Sequence, residues 1–237
     1  MEEKLQGVVL NSVNYGENDK ILSVFTLEKG IISAKIKGVK KAGAKLKFAS
    51  EPFCFAEFIV LSSADKKSVI NASLIDSFYP IREDIKRYFA GGSVLEFIKK
   101  FAKDSIVSAN AFTLLITALK ELAYSDENPE SVLTRFFINA LSVVGYGLNI
   151  SANCPKCGKP LDIKPFFEYN IGAFRCEDCK ADNGAREINF LTLSAMNKAK
   201  KGEPITEREG VFCLRLIDYF LKQKIETEII SLKELIR

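Results

Sequence analysis

The chain contains no histidine and no tryptophan among its 237 residues. Without histidine, Ser/His/Asp and Cys/His catalytic arrangements, histidine-ligated metals and the usual proton shuttle near neutral pH are excluded. No apolar run approaches the ~20 residues of a membrane span. The nearest, Ala111 to Tyr124, is short and carries Lys120 and Glu121, so no membrane partner is expected. The N-terminus, MEEKLQGVVL, places acidic residues before a short apolar run and lacks the layout of a secretory signal. That pattern implies a reducing, cytoplasmic setting, where closely paired cysteines are metal ligands rather than disulfides.

Four of the six cysteines form two CxxC pairs, Cys154 with Cys157 and Cys176 with Cys179, separated by 18 residues. Each pair turns two thiolates toward one point, and the spacing lets two such turns close a tetrahedral site. Pro155 and Gly158 shape the first turn, and Asp182, Asn183 and Gly184 follow the second. The expectation is a four-cysteine zinc ribbon over 151–186. Four thiolates leave zinc no open position for water or substrate, so the Zn2+ is structural. Cys54 and Cys213 lie in apolar surroundings and are expected to be core residues.

At 47% hydrophobic residues the chain can fill real cores, while a net charge of +4 says little about partners by itself. The distribution of charge says more. Six lysines, Lys35, Lys37, Lys40, Lys41, Lys45 and Lys47, occupy thirteen positions, and no acidic residue falls between Ile31 and Ser50. Strand alternation places Ser33, Lys35 and Lys37 opposite Ile32, Ala34 and Ile36, so the first lysines face outward. The following GVKKAGAKLK reads as a mobile, open loop, and the six together as a phosphate-tracking surface.

Five apolar runs separated by turn residues organise the first 80 residues: Leu5 to Val13, Lys20 to Leu27, Ile31 to Lys37, Phe53 to Leu61 and Ser68 to Ser77. A small five-stranded barrel fits, either an OB-fold or an SH3-like barrel by strand count alone. After Pro80 the apolar period becomes helical. One helix carries Ile85, Tyr88 and Leu95, a second runs from Ala109 to Tyr124, and a third is capped by Asn128 and ended by Gly145 and Gly147. Thr206 and Glu209 form a capping box for a helix through Gln223. The expected organisation is a barrel over 1–80, helices over 81–150, the ribbon, and a returning helical part over 187–237.

Two catalytic patterns are near misses. Gly38 and Gly43 have the spacing of P-loop glycines, but Ala44 and Leu46 displace the lysine and remove the magnesium-binding hydroxyl. Glu17 and Asp19 offer a divalent-ion pair for a nuclease, although exposed carboxylates in a turn are usually solvated. Among the 18 Phe and 7 Tyr, Phe48 and Tyr15 sit in loops and are the candidates for stacking on bases.

The opening GVVLNSVNYGENDKILSVFTLEKGIISAKIKGVKK resembles the N-terminal barrel signature of the RecO family, with its YGE-x-D turn, FT-x-E-x-G hairpin and lysine-bearing KG segment. Downstream, FFINALSVVGYGLNISANCPKCG and IGAFRCEDC are similar to that family's helix into the ribbon and its return. The resemblance covers the whole chain. It implies an α+β multidomain protein: an OB-fold binding single- and double-stranded DNA, then a helical domain with the embedded ribbon, and no hydrolytic activity. It further implies RecR, the acidic tail of single-strand-binding protein and, indirectly, RecA as partners, and a location on the bacterial nucleoid. By position, the DNA surface would include Lys35, Lys37, Lys40 and Lys41, lysines where the family often has arginines. The resulting expectation is a non-enzymatic strand-annealing mediator of recombinational repair. The barrel and ribbon by themselves also permit a zinc-ribbon RNA-binding or translation-associated module, or a pure interaction scaffold.

Overall fold

Period-two alternation builds the N-terminal region into five strands, β1 (Glu2–Tyr15), β2 (Asp19–Thr26), β3 (Gly30–Ile36), β4 (Phe55–Ser63) and β5 (Lys66–Asp76). The structure is a computed structural model and describes residues 1–63, 66–102 and 108–237. The strands close in the order β1-β2-β3-β5-β4, with β1 pairing antiparallel to both β2 and β4. Within the barrel, β3 and β5 pair in parallel, Lys35 opposite Ser68 and Ile36 opposite Val69. That crossover is OB-fold topology and excludes the antiparallel SH3-like alternative. Val9, Leu22, Ile32, Ile36, Phe58 and Val60 fill the interior. Gly30 adopts φ +65° where the β2–β3 hairpin turns, a conformation that favours glycine.

Several strand boundaries differ from expectation. β1 and β4 each run further than their apolar cores, because ladder pairing continues through Glu2–Leu61 and Ser63–Lys66. Phe53, expected to begin the fourth strand, instead has φ +68°, and its N–H donates to Val9 O. Its buried ring leaves the barrel interior for the helical body, where it meets Tyr88 edge-on with centroids 5.8 Å apart.

The helical body comprises α1 (Pro80–Glu83), α2 (Ile85–Phe101), α3 (Ser108–Tyr124), α4 (Pro129–Val143), α5 (Phe190–Lys200), α6 (Glu207–Ile225) and α7 (Ile230–Leu235). The expected caps are present: Asn128 Oδ1 accepts Ser131 N–H at 2.9 Å. Thr206 and Glu209 cap one another reciprocally at the start of α6. Helices α5 and α7 were not anticipated. The buried side of α5 consists largely of small or flexible residues, Thr192, Ala195, Met196 and Ala199, which gives little periodic signal, although Asn189 caps it. Helix α7 is a turn and a half, too short for periodicity to register.

One apolar core runs through these helices and into the barrel's outer wall. Alternation along β1 splits its side chains between two cores: Val9 enters the barrel interior, while Val8 and Leu10 join the helical core. Phe112 of α3 packs against Phe25 of β2 and Phe55 of β4, with centroids 5.7 and 6.0 Å away. Helices α4 and α6 touch closely at Gly210, where a Cβ would stand 2.6 Å from Glu130 Cβ.

Glu130 is only 1% exposed, its Oε2 has no hydrogen-bond partner, and Lys86 Nζ lies 4.0 Å from its Oε1. Burial pushes its pKa above the ordinary carboxylate value, outweighing the pull of Lys86. Because the folded-state pKa is raised, ionisation costs stability above that pKa, and the cost vanishes as pH falls below the unfolded value. Glu130→Gln is therefore expected to raise stability by about 1 kcal/mol near pH 7. The gain should shrink toward pH 4, as urea unfolding across that range would show.

Candidate nucleic-acid interface and metal centre

The lysine cluster occupies the end of β3 and the β3–β4 connection. Ile32, Ala34 and Ile36 are buried, and Ser33 and Lys37 are exposed, so alternation faces outward as expected. The connection is not the open loop that its glycines imply. It is a chain of tight turns, with Lys41 N–H donating to Gly38 O, Ala44 N–H to Lys41 O and Lys47 N–H to Ala44 O, each at 3.2 Å. It ends in a 3-10 turn, Phe48–Ser50. Val39 is buried in the barrel core, and Leu46 packs against that core. Those apolar anchors hold the backbone down while Lys37, Lys40, Lys41, Lys45 and Lys47 remain exposed.

Lys35 differs from the other five. Its Nζ pairs with Asp19 Oδ2 at 2.8 Å and lies 4.5 Å from the Tyr15 ring centroid. Asp19 Oδ1 also accepts Gly38 N–H at 2.8 Å, and Asn18 O accepts Lys40 N–H at 3.1 Å. The β1–β2 turn is thereby tied to the basic segment. Hydrogen bonds from Lys35 and then from Gly38 hold the Asp19 carboxyl below its ordinary pKa. The other five lysines make no ion pair among the described residues.

Three expectations require adjustment. Asp19 is engaged by Lys35 Nζ and Gly38 N–H, so it is not a free carboxylate for the divalent-ion pair with Glu17. Phe48 is half-buried against the barrel core, leaving Tyr15, 51% exposed, as the better placed aromatic. The parallel β3–β5 pairing, Lys35 opposite Ser68, also sets the start of β5, with Lys66 and Lys67, alongside the end of β3. Sequence reading passed over these two, although a lysine pair opening a strand was a visible signal.

The second cluster lies in the segment after α4, which holds strands β6 (Phe166–Glu168), β7 (Ala173–Arg175) and β8 (Ala185–Glu187), ordered β7-β6-β8. Each CxxC pair sits on a tight turn. Gly158 N–H donates to Cys154 O at 2.8 Å, and Cys179 N–H to Cys176 O at 3.1 Å. The four Sγ atoms of Cys154, Cys157, Cys176 and Cys179 all lie within 4.8 Å of one another, and Cys157 and Cys176 are 3.6 Å apart. Thiolates bound ~2.3 Å from a tetrahedral zinc stand about 3.8 Å apart, so this donor set fits such an ion.

The thiols of the cluster ionise unevenly, Cys154 being favoured and Cys176 and Cys179 opposed. Burial opposes ionisation of Cys154, but N–H donors from Cys176, Lys156 and Cys157 outweigh it and lower its pKa to about 6. Cys179 is pushed up to about 12, chiefly by its hydrogen bond with Cys157 and then by burial. Four thiolates this close need a positive charge between them to coexist. Phe167 and Phe174 meet at a tilt with centroids 5.1 Å apart, and Phe167 meets Phe220 of α6 at 5.9 Å, so the ribbon is seated in the main core. Cys54 and Cys213 are packing residues as expected, buried and pushed up to about 12 by desolvation. No helix among the described residues is long and apolar enough to cross a membrane.

A closed OB barrel edged with lysines, packed against helices that carry a four-thiol ribbon, defines a class of two-part OB-fold proteins with a possible metal site. Residues 1–78 match the family model described as Recombination protein O N terminal, and residues 82–233 match Recombination protein O C terminal. The chain belongs to the RecO family of DNA repair proteins. It is 30% identical over 210 residues to the DNA repair protein RecO of Caldicellulosiruptor bescii, covering 86% of this chain and 85% of that one. The RecO of Desulforamulus reducens is 28% identical over 237 residues, 94% and 91% of the two chains. That of Acetivibrio thermocellus is 29% identical over 195 residues, 82% and 77%.

Proposed function

We propose that the protein is a non-enzymatic mediator of recombinational repair that binds single- and double-stranded DNA and anneals complementary strands. The observation that carries this reading is the row of five exposed lysines, held by apolar anchors on the edge of an OB barrel. Two polyanions repel as they approach, and a fixed cationic edge lowers that barrier without a bond-breaking residue. Lysines make point-charge contacts rather than bidentate grips, which suits sequence-independent holding of a backbone. Zn2+, bound by Cys154, Cys157, Cys176 and Cys179, would hold the ribbon folded on α6 and supply charge neutralisation rather than chemistry. Family membership supports RecR and the tail of single-strand-binding protein as partners, RecA indirectly, and action at the bacterial nucleoid.

The direct test follows annealing of complementary labelled oligonucleotides, with Lys35, Lys37, Lys40 and Lys41 all replaced by Ala. The rate is expected to fall at least about tenfold, in line with the loss of four phosphate contacts. An unchanged rate removes the proposed surface. Competition between DNA and RNA of one sequence separates this reading from an RNA-binding module, which would prefer RNA.

A further inference from the structure

The Asp19 carboxylate occupies a position built to receive an anion. An ammonium, Lys35 Nζ, and a main-chain donor, Gly38 N–H, converge on its two oxygens, each at 2.8 Å. Both donors belong to the basic segment, whereas Asp19 begins β2, just beyond the β1–β2 turn. In OB-folds that turn contributes to the oligonucleotide-binding surface. The exposed Lys37, Lys40 and Lys41 follow Lys35 within six residues, and Tyr15, half-exposed, flanks the same ammonium.

We propose that this cradle is a phosphodiester site masked by the protein itself: Asp19 stands in for a nucleic-acid phosphate in the free chain and yields Lys35 to the phosphate on binding. The inference rests on the nucleic-acid reading above and gives one of its lysines a distinct role. The side chains of Lys35 and Asp19 are 31% and 25% exposed, so the pair is in reach of solvent. Ion pairs with this much access to water contribute little net stability, which makes the exchange cheap. A phosphate offers the same donors more oxygens and is held beside further lysines, so it is the better acceptor. The opposite role, Asp19 as a brace that the basic segment needs for its shape, predicts the reverse outcome.

The experiment measures anisotropy of a labelled single-stranded oligothymidylate over a range of salt, using the full chain and three variants: Asp19→Asn, Lys35→Ala and the double substitution. Asn retains an oxygen acceptor for Gly38 N–H and removes only the charge. Asp19→Asn is expected to bind about two- to fivefold tighter at low salt with the salt slope little changed, because Lys35 meets the phosphate in both proteins, whereas Lys35→Ala should lower the slope by about 0.7, one phosphate contact fewer. In the Lys35→Ala background the same change should give no gain. Equal or weaker binding by Asp19→Asn overturns the proposal, as does a gain that persists without Lys35. A marked fall in melting temperature for Asp19→Asn identifies Asp19 as a brace and overturns it too. Absence of any binding by the unaltered protein would instead remove the parent reading, so the two failures are distinguishable.

Discussion

Replacing Cys176 by Ser, or stripping the protein with a chelator, is expected to release one bound zinc per chain and to lower the melting temperature by on the order of 10 °C or more. Cys154 is 1% exposed and Cys176 9%. Their turns carry no large apolar anchor of their own, and the ribbon's strands are three residues each. Strands that short depend on an outside constraint. Once the thiolates part, the short strands that carry Phe167 and Phe174, and with them the Phe167–Phe220 contact, lose that constraint. Loss of a single well-packed phenylalanine from a core costs about 3–5 kcal/mol, comparable with much of a domain's net stability. Metal analysis and calorimetry on the same samples provide the check. A verified metal-free protein that melts at the original temperature would show the ribbon to be self-supporting.

The second large effect concerns salt. If Lys37, Lys40, Lys41, Lys45 and Lys47 each neutralise one phosphate of a single strand, those five contribute about −3.5 to the slope of the logarithm of affinity against the logarithm of salt concentration. Their share alone lowers affinity roughly a hundredfold between 50 and 200 mM salt. Replacing all five by Ala should flatten that dependence and weaken low-salt binding by a similar factor. The five are exposed and stand on turns pinned by Val39 and Leu46, which are left intact, so folding should be little changed. An undiminished slope in the five-fold variant would place the phosphates elsewhere.

Much of this site was readable before any coordinates, because local rules governed it. CxxC spacing fixed which four cysteines meet, and strand alternation decided which lysines face out. The OB topology was not readable from strand count, since it depends on a non-local event, the parallel meeting of Lys35 with Ser68. Similarly, the glycines at 38 and 43 signalled freedom for a segment that burial of Val39 and consecutive turns in fact restrain. Asp19 looked like a solvated turn carboxylate because its partner lies sixteen residues on, across a strand pairing that register alone reveals. Helix α5 was missed for the opposite reason, its buried side being too small-residued to stand out from a linker.

The double allegiance of β1 has a mechanical consequence. With Val9 gripped on one side and Val8 and Leu10 on the other, the two lobes share a beam instead of being joined by a tether. Tension applied to one lobe passes into the other without slack. A ligand on the lysine edge and a partner on the helices, as proposed above, would therefore be kept at a constant separation, as two tools fixed to a single handle.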